Sequence, residues 1–410
     1  MTFEEKLSQY AAIVVKIGLN IQKDQELVIN APIETADFVH RVSEEAFKAG
    51  AKDVFVNWND EIAAKLRYTY ATAETLSEVA PPLVDMRMYY QARGAAFLSI
   101  HAENPTLMAD IDKKKLGAAA RARGIAFKPF SEKLDSGENV WCVVSVPTKD
   151  WAEQVFPELK GEAAMDALWD AIFDTTRIGE GDPVEKWHAH MENLRNKAEF
   201  LNEKQFVKLH YTNSIGTDLW IGMPKNHIWG GALEKCNNGT IFVPNMPTEE
   251  VFSAPDCNAV NGVVKSALPL VYHGSKIDKF SLTFENGRIV DFSAEEGYDT
   301  LASIFESDER ARYLGEVALV PYHSPISQSG ILFYNTLFDE NAACHLALGE
   351  AYPTCIEGGG KMSSEELTAN NLNVALLHED FMIGTSDLSV VGYDADGSET
   401  KIFENGDWAF

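Results

Sequence analysis

Strand and helix patterns alternate along the first 182 residues, and this alternation constrains the fold more than any other feature. Short apolar runs typical of strands lie at residues 26–30, 53–57, 95–100 and 140–146, and stretches with helical spacing lie at 3–17, 35–49, 76–93 and 111–123. Strands that alternate with helices form a mostly parallel sheet covered on both faces. No strand pattern is followed by Gly-x-Gly-x-x-Gly, so a dinucleotide site has no support. We therefore predict an α/β domain with a mostly parallel sheet over residues 1–182.

The pattern changes after a polar link that contains glycine and proline, at residues 179–183. Beyond a helix pattern at 184–202, strand patterns at 206–211, 217–221 and 279–284 follow one another without helices between them. Asn286-Gly287 is the strongest short signal for a tight hairpin. Because a chain of 410 residues exceeds the size that one core usually reaches, we predict a second domain. It spans residues 183–410 and is α+β with a largely antiparallel sheet.

The balance of charges excludes one large class of partner. Aspartate and glutamate number 62 against 35 lysines and arginines, which gives a formal net charge of −27. Such a surface repels phosphate backbones, so we expect no nucleic-acid partner. No apolar run approaches the roughly 20 residues that span a bilayer, so we expect no membrane partner. The 5 cysteines form no Cys-x-x-Cys pair and the N-terminus lacks a signal-peptide pattern, which together favour the cytoplasm.

A His-x-Asp pair near the C-terminus is the first indication of a metal site. His378-Glu379-Asp380 directly follows residues 373–377, a short apolar run typical of a buried strand. On a strand, His378 and Asp380 project to one face and Glu379 projects to the other. The Cα atoms of His378 and Asp380 would lie about 6.6 Å apart, which lets both side chains reach one metal ion.

His345 and Tyr352 supply two more possible ligands. They are seven residues apart, so a helix over 345–352 would place both side chains on one face. Two imidazoles, a carboxylate and a phenol suit a divalent metal. For either histidine alone, a structural role in the core with satisfied hydrogen bonds is commoner than metal binding. That structural role explains a His-x-Asp strand beside a second histidine less well.

Three upstream or neighbouring acids could complete the site. Glu250 and Glu316 lie in polar segments beside apolar runs, and Glu340 precedes His345 by five residues. Glu316 stands at the start of the strand pattern 317–320, where an unpaired charge would be costly to bury. Either a metal ion or a salt bridge would relieve that cost.

Four motifs in the second half carry a resemblance to a known family. They are Asn-Met-Pro-Thr-Glu-Glu-Val-Phe (245–252), Leu-Gly-Glu-Val-Ala (314–318), Asn-Ala-Ala-Cys-His-Leu-Ala-Leu-Gly-Glu-Ala-Tyr (341–352) and His-Glu-Asp-Phe-Met-Ile-Gly (378–384). Through them the chain resembles the thermophilic-type metallo-aminopeptidases over nearly its whole length. The resemblance implies metal-site roles for Glu250, Glu316, His345, Tyr352, His378 and Asp380. It also implies a homodimer, and a first domain that helps to enclose the active-site cavity.

The charge of the implied ligand set is consistent with two divalent ions, zinc, cobalt or similar. Two dications carry four positive charges, and the carboxylates of Glu250, Glu316 and Asp380 carry three negative charges. A bridging hydroxide would neutralise the one positive charge that remains. With one dication the three carboxylates would leave a negative charge, a poor environment for lowering the pKa of water.

We therefore predict a cytoplasmic two-metal aminopeptidase that releases N-terminal residues from short peptides, with its metal site in the second domain. Glu316 would bridge the ions, Glu250 and Asp380 would bind mainly one of them, and the two histidines the other. Tyr352 is either a ligand or the donor to the developing oxyanion, and Glu340 is the candidate assisting base. The alternatives are a two-metal hydrolase of other small amides and a non-catalytic protein that binds metal or peptides.

Overall fold

The computed structural model describes residues 1–102, 104, 107–108, 110–272 and 275–410. The chain divides into two compact units, of which the first comprises Met1–Ala189 with Leu233–Pro247 and the second comprises His190–Ala232 with Thr248–Phe410. Our predicted boundary, at residue 182, keeps 183–410 in one piece. The structural division instead returns a short segment to the first unit, because β10 (Asn245–Met246) pairs with a strand of its sheet. That the first domain encloses the cavity stays a prediction.

The elements are numbered in chain order. The helices are α1 (Phe3–Ile13), α2 (Ala36–Ala49), α3 (Glu61–Tyr70), α4 (Ala73–Leu76), α5 (Pro81–Gln91), α6 (Lys113–Asp135), α7 (Lys149–Val155), α8 (Glu162–Thr175), α9 (Pro183–Lys204), α10 (Tyr298–Ser307), α11 (Pro325–Ser329), α12 (Thr336–Asp339) and α13 (Ser364–Ala369). The strands are β1 (Glu26–Pro32), β2 (Asp53–Asn59), β3 (Ala96–His101), β4 (Trp141–Ser145), β5 (Lys208–Thr212), β6 (Asp218–Gly222), β7 (Gly230–Gly231), β8 (Glu234–Lys235), β9 (Ile241–Phe242), β10 (Asn245–Met246), β11 (Val251–Ser253), β12 (Val260–Lys265), β13 (Leu270–Tyr272), β14 (Ser275–Glu285), β15 (Arg288–Glu296), β16 (Leu314–Leu319), β17 (His345–Gly349), β18 (His378–Met382), β19 (Ser389–Tyr393), β20 (Glu399–Glu404) and β21 (Asp407–Trp408).

The first unit is built on a parallel sheet, which confirms the predicted α/β class. The strand order is β10-β4-β3-β1-β2, and every neighbouring pair runs parallel. Strand β1, which lies inside the sheet between β3 and β2, is almost entirely buried. Val28, Phe97 and Phe130 pack into an apolar cluster on one side of the sheet. Strands β1 and β3 are buried on both faces, and this is why their sequences are nearly continuous apolar runs.

The helices of the first unit differ in detail from the predicted ones. The helix predicted at 3–17 ends as an α-helix at Ile13 and continues through one π-helical turn, Val14–Gly18. The helix predicted at 76–93 is the shorter helix α5, because Pro81 is its first residue, and Leu76 instead ends α4. Helix α3 was not predicted, although Ile62, Leu66 and Tyr70 recur at helical spacing along it, and all three side chains are exposed.

The second unit contains two antiparallel sheets, which confirms the predicted α+β class. The larger follows the order β13-β14-β12-β6-β5-β19-β20-β21, with β15 paired to β14. The predicted hairpin is present between β14 and β15, where Asn286 and Gly287 both have positive φ, at 50° and 84°. That backbone matches a turn whose two central residues are left-handed.

The smaller sheet follows the order β18-β17-β16-β11-β7. Its two middle strands β16 and β17 are buried along their whole length. An apolar cluster that includes Ala254, Ile356 and Leu372 packs against Phe252 of β11. Among the helices of the described residues, none combines the length and the apolar character needed to cross a bilayer.

Candidate metal centre

The register of the smaller sheet places two acids in one row. Glu316 on β16 pairs with Ala347 on β17, and Ala347 pairs with Asp380 on β18. Residues paired directly across antiparallel strands project to the same face of the sheet. The side chain of Ala347, which lies between the two acids in this row, is only a methyl group. The two carboxylates therefore face a common space above it.

The two histidines join this face through the pleat. His345 lies two residues before Ala347 on β17, and His378 lies two residues before Asp380 on β18. Since side chains alternate along a strand, residues two apart share a face. The sheet therefore presents Glu316, His345, His378 and Asp380 together.

A bulge in β16 adjusts the position of Glu316. The pairing with β17 shifts between Leu314 and Glu316, so Gly315 is the extra residue. A Cβ atom at Gly315 would lie 2.2 Å from the carbonyl oxygen of Glu350, which only glycine avoids. Bulges commonly re-aim a side chain beside an active site, and this one sets the face on which Glu316 projects.

Glu250 reaches the group from the next strand of the sheet. It directly precedes β11, in which Val251 pairs with Leu319 of β16 and Phe252 pairs with Ala318. Glu250 and Phe252 are two residues apart and so share a face. This pairing places the Glu250 carboxylate beside the side chain of His345.

The side chains form two groups of possible ligands that share one member. Glu250, Glu316 and His345 form one group, Glu316, His378 and Asp380 form the other, and within each group the ligand atoms lie within 4.8 Å of one another. His345 Nε2 lies 3.2 Å from Glu250 Oε2 and 3.4 Å from Glu316 Oε1. His378 Nε2 lies 3.5 Å from Glu316 Oε2 and 3.4 Å from Asp380 Oδ1. Each carboxylate oxygen of Glu316 therefore faces a different imidazole.

The far nitrogen of each imidazole is held by the backbone. His345 Nδ1 lies 3.1 Å from the carbonyl oxygen of Ala343, and His378 Nδ1 lies 2.7 Å from that of Glu350. A carbonyl oxygen only accepts, so Nδ1 carries a proton in each ring. The Nε2 atoms are thereby directed at the carboxylates, which is the arrangement of metal-binding histidines.

Burial and mutual charge perturb the pKa of the four site residues on β16, β17 and β18. Burial alone would lower the pKa of His378, but Asp380 and Glu316 raise it to about 10. The pKa of His345 is shifted in the same direction, because Glu250 and Glu316 outweigh burial and raise it well above the usual range. Burial raises the pKa of Glu316, whereas for Asp380 the nearby His378 outweighs burial and lowers the pKa. Without a metal ion, the two imidazolium rings offset only part of the negative charge of the acids.

Tyr352 and Glu340 border the same group. The Tyr352 ring lies 4.9 Å from the His378 ring between centroids, and desolvation followed by Glu316 and Asp380 raises the pKa of its phenol well above the usual range. Burial, followed by the charges of Asp380 and Glu250, raises the pKa of Glu340 well above its usual range. The structure thus brings all the predicted site residues to one region of the second unit.

Two local predictions at this site are wrong. Residues 345–352 do not form a helix, because His345–Gly349 is the strand β17 and the chain then turns. A short run that is apolar on both faces does not distinguish a buried strand from a helix, and burial between β16 and β18 decides for the strand. Residues 373–377 are not a strand, and Leu376 is 87% exposed. Strand β18 begins only at His378, and the alternation of His378 and Asp380 is nevertheless as predicted.

Comparison with known proteins decides the family. A family model described as thermophilic metalloprotease (M29) matches residues 3–408. The chain belongs to the thermophilic metalloprotease family. The predicted resemblance is thereby confirmed, and the chain is a metal-dependent hydrolase of peptide bonds.

Named relatives of this thermophilic metalloprotease cover its full length. Aminopeptidase AmpS of Bacillus subtilis is 47% identical, with 100% of each chain covered. Aminopeptidase 2 of Geobacillus stearothermophilus is 45% identical over 100% of this chain and 98% of its own. The structure of wild-type AmpT from Thermus thermophilus superposes with a TM-score of 0.94 at 36% identity, and covers 100% of both chains.

The residues present in this thermophilic metalloprotease fit a divalent metal. The buried Asp380 Oδ1 has no hydrogen-bond partner among the described residues, although it faces two imidazoles, so it keeps a lone pair for another partner. The donors are carboxylate oxygens and imidazole nitrogens, which zinc and related ions bind. Their density of negative charge would be unfavourable in a buried site without cations.

Metal binding should release protons. Because the raised pKa of His378 and His345 keeps both rings charged at pH 7, each must lose its proton before Nε2 can bind a metal ion. We expect about two protons to be released per fully loaded protein, and affinity to rise with pH. Calorimetric titration of the metal-free protein with Zn²⁺ in buffers of different ionisation enthalpy measures the number. A heat of binding that is the same in every buffer would show that the ions displace no protons from the two rings.

Proposed function

We propose that this protein is an aminopeptidase that releases N-terminal residues from short peptides at a centre of two divalent metal ions. Membership of a metalloprotease family supports metal-dependent peptide hydrolysis. The names of relatives at 45% and 47% identity support the aminopeptidase reaction. The position of Glu316 between two histidines is the observation that carries the two-metal proposal.

The two oxygens of Glu316 support one ion on each side of its carboxylate. Oε1 faces His345 and Oε2 faces His378, at 3.4 and 3.5 Å. In this proposal Glu250, Glu316 and His345 hold one ion, and Glu316, His378 and Asp380 hold the other. This grouping differs from our sequence-based assignment, which put both histidines mainly on one ion, because the side chain of His345 lies beside Glu250 and that of His378 lies beside Asp380.

Bound divalent ions would supply a water of lowered pKa and would polarise the scissile carbonyl group. The chain's own residues supply proton transfer and orientation. Glu340, whose pKa burial and the neighbouring acids Asp380 and Glu250 raise, takes the proton of the attacking water and delivers it to the leaving amine. Tyr352, beside His378, either binds an ion or donates its hydroxyl hydrogen to the developing oxyanion.

A cavity beside the cluster supports small substrates. Asp380 and Glu340 line it together with apolar side chains that include Leu270 and Met382. The exposed Thr336, at the first position of α12, also lines it. A cavity that joins an apolar wall to the catalytic carboxylates suits the side chain of an N-terminal residue. We propose that this cavity receives that side chain.

The same proposal includes the remaining features that the family resemblance implied. We propose zinc, cobalt or a similar ion as the native metal, since every assigned donor is oxygen or nitrogen. We also propose a homodimer, which light scattering after gel filtration measures directly. All 5 cysteines are free and buried, which is compatible with the cytoplasm as the proposed location.

Glu316→Gln tests the shared carboxylate. The amide keeps the shape but removes the charge and one oxygen donor, so metal content should fall from two ions and turnover of an amino-acid p-nitroanilide should fall by about a hundredfold or more. Elemental analysis after gel filtration and steady-state kinetics measure the two effects. Glu309→Gln is the control, because Glu309 is an exposed residue that forms an ion pair with Arg288 shortly before β16. Retention of two ions by the Glu316 variant would contradict a bridging role.

N-acetylation of a substrate should abolish its cleavage. An aminopeptidase must recognise the free amine and exclude further chain on that side, and the acetyl group removes the basic nitrogen and adds bulk. Mass spectrometry of one tripeptide in free and acetylated form compares the two rates in a single sample. Similar rates would instead indicate a metal-dependent amidase that does not require the terminal amine.

Thr336→Trp should narrow the cavity at an exposed position. We expect KM for leucine and phenylalanine p-nitroanilides to rise about tenfold, while KM for the alanine substrate changes little, since only large side chains need the space. Thr368→Trp, at an exposed position on α13, controls for the added indole. An equal change for all three substrates would show that the cavity does not receive the N-terminal side chain.

A further inference from the structure

Asn341 is a fully buried polar residue that lies between two segments of the site. It is 0% exposed and belongs to the 3-10 turn Glu340–Ala342. Its Oδ1 accepts a hydrogen bond of 2.7 Å from the backbone N–H of Glu249. Its Nδ2 donates to the carbonyl oxygen of Leu337 at 3.1 Å and lies 3.4 Å from Glu340 Oε1. One amide group thus contacts both the segment that carries Glu250 and the turn that carries Glu340.

The segment before Glu250 is also held from another direction. His190 Nε2 lies 2.8 Å from the carbonyl oxygen of Thr248 and 3.6 Å from Glu249 Oε2. Thr248 and Glu249 are both buried, at 3% exposure each. His190 contacts the carbonyl oxygen of Thr248 and Asn341 contacts the N–H of Glu249, so both sides of the peptide group that precedes Glu249 are held.

The turn that carries Glu340 is held by its neighbour Asp339. The Asp339 carboxylate accepts hydrogen bonds from the backbone N–H of Phe333 at 2.8 Å and from that of Asn335 at 2.9 Å. Asn341 then donates back to the carbonyl oxygen of Leu337 in α12, the helix directly before the turn. The backbone on both sides of Glu340 is therefore fixed by side chains that are themselves buried.

We propose that Asn341 is a positioning residue that fixes the distance between the proton-transferring Glu340 and the metal-binding Glu250. The inference rests on the proposed function, since it assigns Asn341 a role through those two residues. An asparagine suits this place because it offers an acceptor to the Glu249 N–H and donors to Leu337 and Glu340. Aspartate keeps the acceptor but has no donor, and alanine has neither.

Asn341→Asp tests the proposal in the full-length protein. It keeps the shape and the bond to Glu249, but sets a carboxylate against Glu340 and the Leu337 carbonyl. We expect kcat to fall about tenfold to a hundredfold with KM nearly unchanged, because the proton-transferring group is displaced while the substrate cavity is intact. The acid limb of the kcat/KM profile should move to higher pH, since a neighbouring negative charge favours the protonated form of Glu340.

Asn341→Ala removes the bond to Glu249 as well as the donors to Leu337 and Glu340. Its comparison with Asn341→Asp therefore isolates the effect of the Glu249 bond. The alanine variant frees the Glu249 backbone, so affinity for Zn²⁺ should fall about tenfold or more, as is usual when a group that orients a metal ligand is removed. Competition with a chromogenic chelator measures this affinity without any activity assay. The aspartate variant, which keeps the Glu249 bond, should retain affinity closer to that of the wild-type protein.

Asn139→Asp is the matched control for the loss of a buried amide. Asn139 is 1% exposed, its Nδ2 donates to the carbonyl oxygens of Gln91 and Ala95, and its Oδ1 accepts from Gln91 Nε2. Thermal unfolding should show destabilisation of both aspartate variants, but only Asn341→Asp should change the pH profile. Should Asn341→Asp fail to fold, the chelator competition and the kcat of Asn341→Ala decide the matter.

The outcomes distinguish failure of this inference from failure of the proposed function. If the wild-type protein releases no amino acid from a free tripeptide, the proposed function is wrong. If the wild-type protein is active and Asn341→Asp shares its kcat and pH profile, with Asn341→Ala unchanged in metal affinity, Asn341 is only a structural residue and the inference is overturned.

Discussion

The candidate metal centre is organised around a carboxylate in the middle of a buried sheet, between two imidazoles. Glu316 is 5% exposed and His345 is 1% exposed, so little water can stabilise their charges. An isolated ion in such a place costs several kcal/mol even after relaxation. The cluster therefore exists only as a set, in which each acid is balanced by a proton or a cation. A metal ion that binds here replaces protons in that balance. Metal binding and protonation of the cluster are therefore coupled in one equilibrium.

Strand pairing, and not loop conformation, determines where most of the ligands lie. Glu316, Ala347 and Asp380 occupy one row, and the histidines follow by alternation within β17 and β18. A shift by one residue in either pairing would turn these side chains to the opposite face of the sheet. The rigid arrangement suits a metal centre, which tolerates small errors of position poorly.

Sequence alone predicted the local features and missed those that depend on distant pairing. Alternation of apolar runs predicted the parallel sheet of the first unit, and the pleat predicted that His378 and Asp380 share a face, since both patterns are local. The strand at His345 was mistaken for a helix because a five-residue run buried on both faces has no diagnostic period. The closeness of Glu250 to His345 follows from the register of β11 on β16, which no local pattern contains. The sequence offered Glu250 only as one of several acids that could complete the site, and the family resemblance singled it out. The bulge at Gly315 and the contacts of Asn341 are likewise products of tertiary structure.

The edge position of β18 has a consequence for the order in which the centre is assembled. Glu250, Glu316 and His345 all precede residue 378, so one ligand group is complete in the nascent chain before the strand that carries His378 and Asp380 has been synthesised. The second group can form only when β18 adds to the free side of β17. If the centre holds two ions as proposed, an ion captured before β18 docks would occupy the first position alone, and docking of β18 would complete the second.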